Sequence, residues 1–201
     1  MKIEKHLLLA EAGDNITIEK SPNQSSLVSP IYLIMHYTAG ASLDGAVKWF
    51  KNPEAKASAH LVIGRDGQIV QMVPFNKKAW HAGKSSWGNL EHMNQYSIGI
   101  ELVNAGRLHR RSDGKWVNWA NNIIPDEEVT EAIHKSESTV SGWHEYTEAQ
   151  INAAIKVASL LNSIYQFTDV LGHEDVSPGR KSDPGPLFPM NSFRSIVLGR
   201  A

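Results

Sequence analysis

Between Ile31 and Gly172, short apolar runs of strand character alternate with segments of helical period, and this alternation restricts the fold more than any other feature of the chain. Ile31 to His36 is rich in β-branched and aromatic residues, suits a buried strand, and ends on a histidine. Ser42 can cap a following helix in which Leu43, Ala46, Val47 and Phe50 recur at helical spacing, and Asn52-Pro53 stops it. His60 to Val73 is two strand-like runs around Asp66-Gly67, a dipeptide that tolerates the positive φ of a tight hairpin. In Ser97 to Val103, Ile98, Ile100 and Leu102 alternate with Gly99, Glu101 and Val103, so a strand that looks buried carries an acid on its other face. Thr147 and Gln150 form a capping-box pattern ahead of Ile151, Ala154, Ile155, Ala158, Leu161 and Ile164, a long amphipathic helix, and Asp169 to Gly172 reads as a last short strand. Strands interleaved with helices predict an α/β fold, a central mixed β-sheet flanked by helices.

At 201 residues, 41% of them hydrophobic, the chain can bury one substantial core and is read as one domain, 1–201. Residues 1–30 form a polar N-terminal extension, and 105–146 a long insertion within the domain. There the apolar periodicity fails and Trp116, Trp119 and Trp143 sit among polar residues, where they could line a groove. A net charge of −1, with neither sign in a long run, argues against nucleic acid or an anionic membrane surface as partner. The absence of cysteine forces any metal onto nitrogen and oxygen ligands. Leu7 to Ala10 is too short for a signal-peptide core, so a cytoplasmic protein is expected, and no apolar run approaches the roughly 20 residues of a membrane span.

His36, Glu101 and His173 each lie on or just beyond a strand, so one sheet edge could bring them together. Catalytic zinc commonly takes three ligands from histidine and carboxylate and leaves a fourth position for water, a set that His36, His173 and Asp183 could supply. Spacing alone leaves this open. A strand-end histidine is ordinarily a hydrogen-bonded structural residue, Asp183 before Pro184-Gly185 is an ordinary turn starter, and Lys84, Arg180 and Lys181 read by default as solvated charges. Glu101 is harder to place structurally, because glutamate is almost never buried without a partner.

Taken together, IMHYTAG (34–40), SAHLVIGRDGQIVQMV (58–73), AWHAG (79–83), SIGIELVN (97–104) and GHEDVSPGRKSDPG (172–185) resemble the zinc-dependent N-acetylmuramoyl-L-alanine amidases. The likeness is to the branch of phage amidases, muropeptide-recycling amidases and peptidoglycan recognition proteins. The resemblance implies a Zn2+ site at the sheet edge held by His36, His173 and Asp183, where some relatives carry cysteine in place of the aspartate. It implies Glu101 as catalytic acid/base, Lys181 assisting at the metal, and His60, Trp80, His81 and Asn104 lining the substrate cleft. The expected activity is hydrolysis of the amide between N-acetylmuramic acid and L-alanine in peptidoglycan or muropeptides, by a monomer, inside the cell or on the wall after release as an endolysin. A non-catalytic peptidoglycan-binding module is the alternative, and a zinc peptidase acting on ordinary peptides is a third reading. For the insertion, its tryptophans suggest one wall of a glycan or peptide groove.

Overall fold

In the computed structural model, which describes residues 1–26 and 29–200, six strands form the central sheet. They are β1 (Ile16–Ile18), β2 (Tyr32–Tyr37), β3 (Leu61–Ile63), β4 (Ile69–Gln71), β5 (Ser97–Leu102) and β6 (Asp169–Gly172), in the spatial order β6-β2-β5-β3-β4-β1. Every neighbouring pair is parallel except the β3/β4 hairpin, whose turn places Gly67 at φ 83°. The sheet is therefore mixed, as the sequence predicts. Among the described residues four α-helices accompany it: α1 (Leu43–Lys51), α2 (Glu148–Tyr165), α3 (His173–Val176) and α4 (Met190–Leu198). Ser42 Oγ caps α1 by accepting from the Gly45 N–H, and Thr147 and Gln150 form the reciprocal capping box of α2.

One face of the sheet packs its Leu33, Met35, Ile98, Ile100 and Leu102 against Ala154, Val157, Ala158 and Leu161 of α2 and Phe193 and Val197 of α4. Truncating one of these, as in Leu161→Ala, costs about 2–5 kcal/mol. On the opposite face, Phe50 of α1 covers Val62 and Val70, while Ile34 and Leu171 pack with Val176 of α3. His36 and Glu101 belong to this second face.

Two segments differ from the sequence reading. The opening segment supplies β1, an edge strand of the main sheet, and a hairpin of Lys2–Glu4 with Leu7–Leu9; its end at Leu27-Val28 lies outside the described residues. The insertion is no irregular loop. Arg107–Arg110, Trp116–Val117, Ile123–Ile124, Val129–Ile133 and Val140–His144 form a second, antiparallel sheet with its own small core of Ala105, Leu108, Trp116 and Ile124. Strands of two to five residues are too short to show a period, which is why the segment reads as loop. Trp116 and Trp143 are buried in it, and of its tryptophans only Trp119 is exposed. Among the described residues no helix is long and apolar enough to cross a membrane.

Candidate metal centre and catalytic site

Strand register builds the site. In the parallel β2/β5 pair, His36 stands directly beside Glu101, and Gly172, which ends β6, pairs with Met35, so His173 emerges next to His36. Asp183 returns to them from the far end of the Gly172–Gly185 segment. His36 Nδ1, His173 Nδ1 and Asp183 Oδ2 are then 2.9–3.0 Å from one another, and all three residues are buried.

The hydrogen bonds behind this triad fix its protons. The Met93 carbonyl can only accept, so Ser97 Oγ donates to it at 2.7 Å and accepts from His81 Nε2–H at 3.3 Å. Neutral His81 then offers Nδ1 as acceptor to His36 Nε2–H, at 2.9 Å. On the other side, His173 Nε2–H donates to the Ala82 carbonyl at 3.1 Å. Both Nδ1 atoms facing Asp183 are thus bare lone pairs while the rings are neutral. Burial keeps the outer pair neutral: it lowers His36 to about 4 and pushes His81 well below the usual histidine range. Two imidazole nitrogens and a carboxylate oxygen turned toward one another at 2.9–3.0 Å form a ready set of donors for a cation. The donor set fits a divalent metal.

Glu101 has an acid's worst environment. It is buried, its Oε2 has no hydrogen-bond partner among the described residues, and desolvation, reinforced by Asp183, drives its pKa well above the usual carboxylate range against the pull of Lys181. Such burial favours the protonated carboxyl, and positive charge arriving beside it favours release of the proton. Lys181 is exposed, close enough for its charge to act on both Glu101 and His36.

The segment bearing His173, Lys181 and Asp183 is held from both sides. Arg180 Nη2 donates to the Ala82 and Lys84 carbonyls, and Ser177 Oγ to Lys84 O. From the insertion, His134 and Lys135 bind Glu174, the Tyr146 hydroxyl donates to Pro184 O at 2.8 Å, and Trp143 packs under Gly185, where a Cβ would come within 2.9 Å of its ring. The insertion therefore buttresses the metal-site loop, a role its sequence does not show. Tyr37 closes the same loop through Ser182, hydroxyl to hydroxyl at 2.9 Å.

The four residues expected in the cleft are placed differently. His60 is fully buried; its Nε2–H donates to Lys77 O, its Nδ1 accepts from Gly99 N–H, and no ring atom remains for a ligand. Asn104 is buried and spends its amide on the carbonyls of His144 and Glu145 and on Gly106 N–H, fastening the end of the insertion. His81 stands behind His36. Trp80 is half-buried beside Ser25 and Asn94, in a shallow surface groove of its own.

A family model described as N-acetylmuramoyl-L-alanine amidase matches residues 27–186, a span that contains every residue of this site. The chain belongs to that family. Within it, the chain is 35% identical over 144 residues to the 1,6-anhydro-N-acetylmuramyl-L-alanine amidase AmpD of Citrobacter freundii, an alignment covering 71% of this chain and 58% of that relative. It is 30% identical over 176 residues to the N-acetylmuramoyl-L-alanine amidase AmiD of Escherichia coli, covering 83% of this chain and 53% of that one. The amidase-family chain thus spans somewhat over half the length of these curated relatives. Among solved structures, an AmpD crystal structure aligns with a TM-score of 0.69 at 27% identity, over 98% of this chain and 99% of that chain.

Proposed function

We propose that the protein is a zinc-dependent amidase that cleaves the bond between N-acetylmuramic acid and L-alanine. The observation that carries this reading is the packing of His36 Nδ1, His173 Nδ1 and Asp183 Oδ2 within 3.0 Å of one another beside a buried Glu101 on the neighbouring strand, whose Oε2 has no hydrogen-bond partner among the described residues. Zinc held by the triad would supply Lewis-acid polarisation and an acidified water. Glu101 would take the proton from the attacking water and return it to the departing alanine nitrogen, a transfer favoured by the upward pull of burial on its pKa. Lys181 would place its ammonium by the oxygen on which negative charge develops at the lactyl carbonyl. Burial of the triad residues strengthens both effects.

A related E. coli amidase, AmiD, is known in complex with anhydro-N-acetylmuramic acid-L-Ala-D-γ-Glu-L-Lys, which supports a muramoyl peptide as the substrate class; at 26% identity and a TM-score of 0.62 the alignment covers 96% of this chain and 62% of that one. The test is incubation of the zinc-loaded protein with a muramoyl-L-alanyl tripeptide followed by mass spectrometry. Free tripeptide and intact muramic acid are expected. An uncut substrate that still co-elutes with the protein would make it a binding module instead.

A further inference from the structure

We propose that the groove between Trp119 and Trp49 is a subsite for a neutral sugar ring of the substrate's glycan, other than the ring that bears the scissile amide. This inference rests on the muramoyl-peptide reading given above and adds a preference for glycan-linked over monosaccharide substrate.

Trp119, 76% exposed, and Trp49, 56% exposed, lie far apart in sequence, one in the insertion and one on α1, yet line the same groove of about 400 Å³. Large indoles left in water on two separate elements and brought to one cleft mark a binding surface. Trp119 is held in place. Its Nε1–H donates to the Ala39 carbonyl at 2.8 Å, so the ring is anchored at its edge and needs little ordering on binding. The groove floor is small-residue backbone around Gly40 and Gly45, with the Thr38 and Ser42 hydroxyls as the side-chain polar groups. Among the described residues no charged side chain lines it. A stem peptide bearing carboxylates would find no cation there, whereas a pyranose offers apolar C–H faces to indole and hydroxyls to the threonine, serine and backbone groups. The groove starts where the strands bearing His36 and Glu101 end: Thr38, which lines it, follows β2 directly, and its N–H donates to the carbonyl of Leu102, next to Glu101. A glycan strand whose muramoyl carbonyl reaches Glu101 would extend along this edge.

The test uses a tetramer of N-acetylglucosamine, which lacks the scissile bond, titrated into the full chain with tryptophan fluorescence and calorimetry as readouts. Saturable binding is expected, weakened about 2- to 10-fold in each of Trp119→Ala and Trp49→Ala, the range of one aromatic contact. In parallel, peptide release is compared for a muramoyl tripeptide and for the same tripeptide on an oligosaccharide. The wild-type protein should show a lower KM for the longer substrate, and the ratio between the two should move toward one in both variants. Absence of tetramer binding, or an unchanged ratio in both variants, would overturn the subsite. Release from neither substrate would instead remove the amidase reading, while the tetramer titration would still decide whether the groove takes sugar.

Discussion

Gly99→Ala should loosen the metal without touching a ligand. Gly99 lies on the sheet face that carries Glu101, and a Cβ there would sit 2.5 Å from Cγ, 2.6 Å from Nδ1 and 2.7 Å from Cδ2 of the His81 ring. Ordinary carbon contacts begin near 3.5 Å, so the ring must retreat by about 1 Å. It cannot do so and keep both its bond to Ser97 and its acceptance of His36 Nε2–H, which is the contact that leaves His36 Nδ1 bare. The expected cost is about 1–3 kcal/mol of stability from overpacking and about 10- to 100-fold in zinc affinity from the disturbed partner of a ligand. His81→Ala should cost a similar factor in affinity by removing the acceptor outright. The decisive quantity is their coupling: once the ring is gone the methyl has room, so Gly99→Ala should add less than about 0.5 kcal/mol to the affinity loss of His81→Ala. Affinity is read by competition with a chromophoric chelator, and folding by circular dichroism. Costs that add in full, or a Gly99→Ala protein that binds zinc within about twofold of wild type, would refute the proposed control of His36 by His81.

Glu101→Ala should keep zinc and lose about 100- to 10,000-fold in turnover, whereas Asp183→Ala should lose metal as well; full occupancy with normal turnover in Asp183→Ala would reject the ligand assignment. Stripping the metal should lower the unfolding free energy by about 4 kcal/mol relative to protein with zinc at a thousandfold excess over its Kd, measured by chemical denaturation. His60 gives a pH signature. Burial lowers it to about 4 in the fold from 6.5, so below 6.5 the unfolded chain binds the extra proton, and stability complete above pH 6.5 declines as pH falls and levels off below about 4. The difference in denaturation midpoint between pH 7 and pH 5 should shrink in His60→Gln, and an unchanged difference would clear His60 of this role.

Much of this was legible in the sequence because the central elements are locally consistent. The period-2 alternation of Ser97 to Leu102, the Ser42 and Thr147 caps and the Asp66-Gly67 turn each determine their element without tertiary help, and the strand ends bring His36, Glu101 and His173 to one edge. Histidine roles were less legible. His60 and His81 sit in equally suggestive motifs, yet one fastens backbone and the other backs a triad residue, because the difference lies in partners such as Lys77 O, Gly99 and Ser97 that only the assembled sheet supplies. The insertion was opaque for a different reason. Its order comes from a small core of its own and from the contacts of His134, Trp143 and Tyr146 with the Gly172–Gly185 loop, and neither leaves a hydrophobic period.

The most direct test of the central claim is the fate of solvent oxygen. In heavy-oxygen water, the zinc-loaded protein should release the peptide from a muramoyl-L-alanyl tripeptide with one labelled oxygen on the lactyl carboxylate of the sugar and none on the peptide, and Glu101→Ala should release almost nothing. Label appearing in the peptide, or release that persists in Glu101→Ala at the wild-type rate, would contradict an attack at the muramoyl carbonyl driven by Glu101.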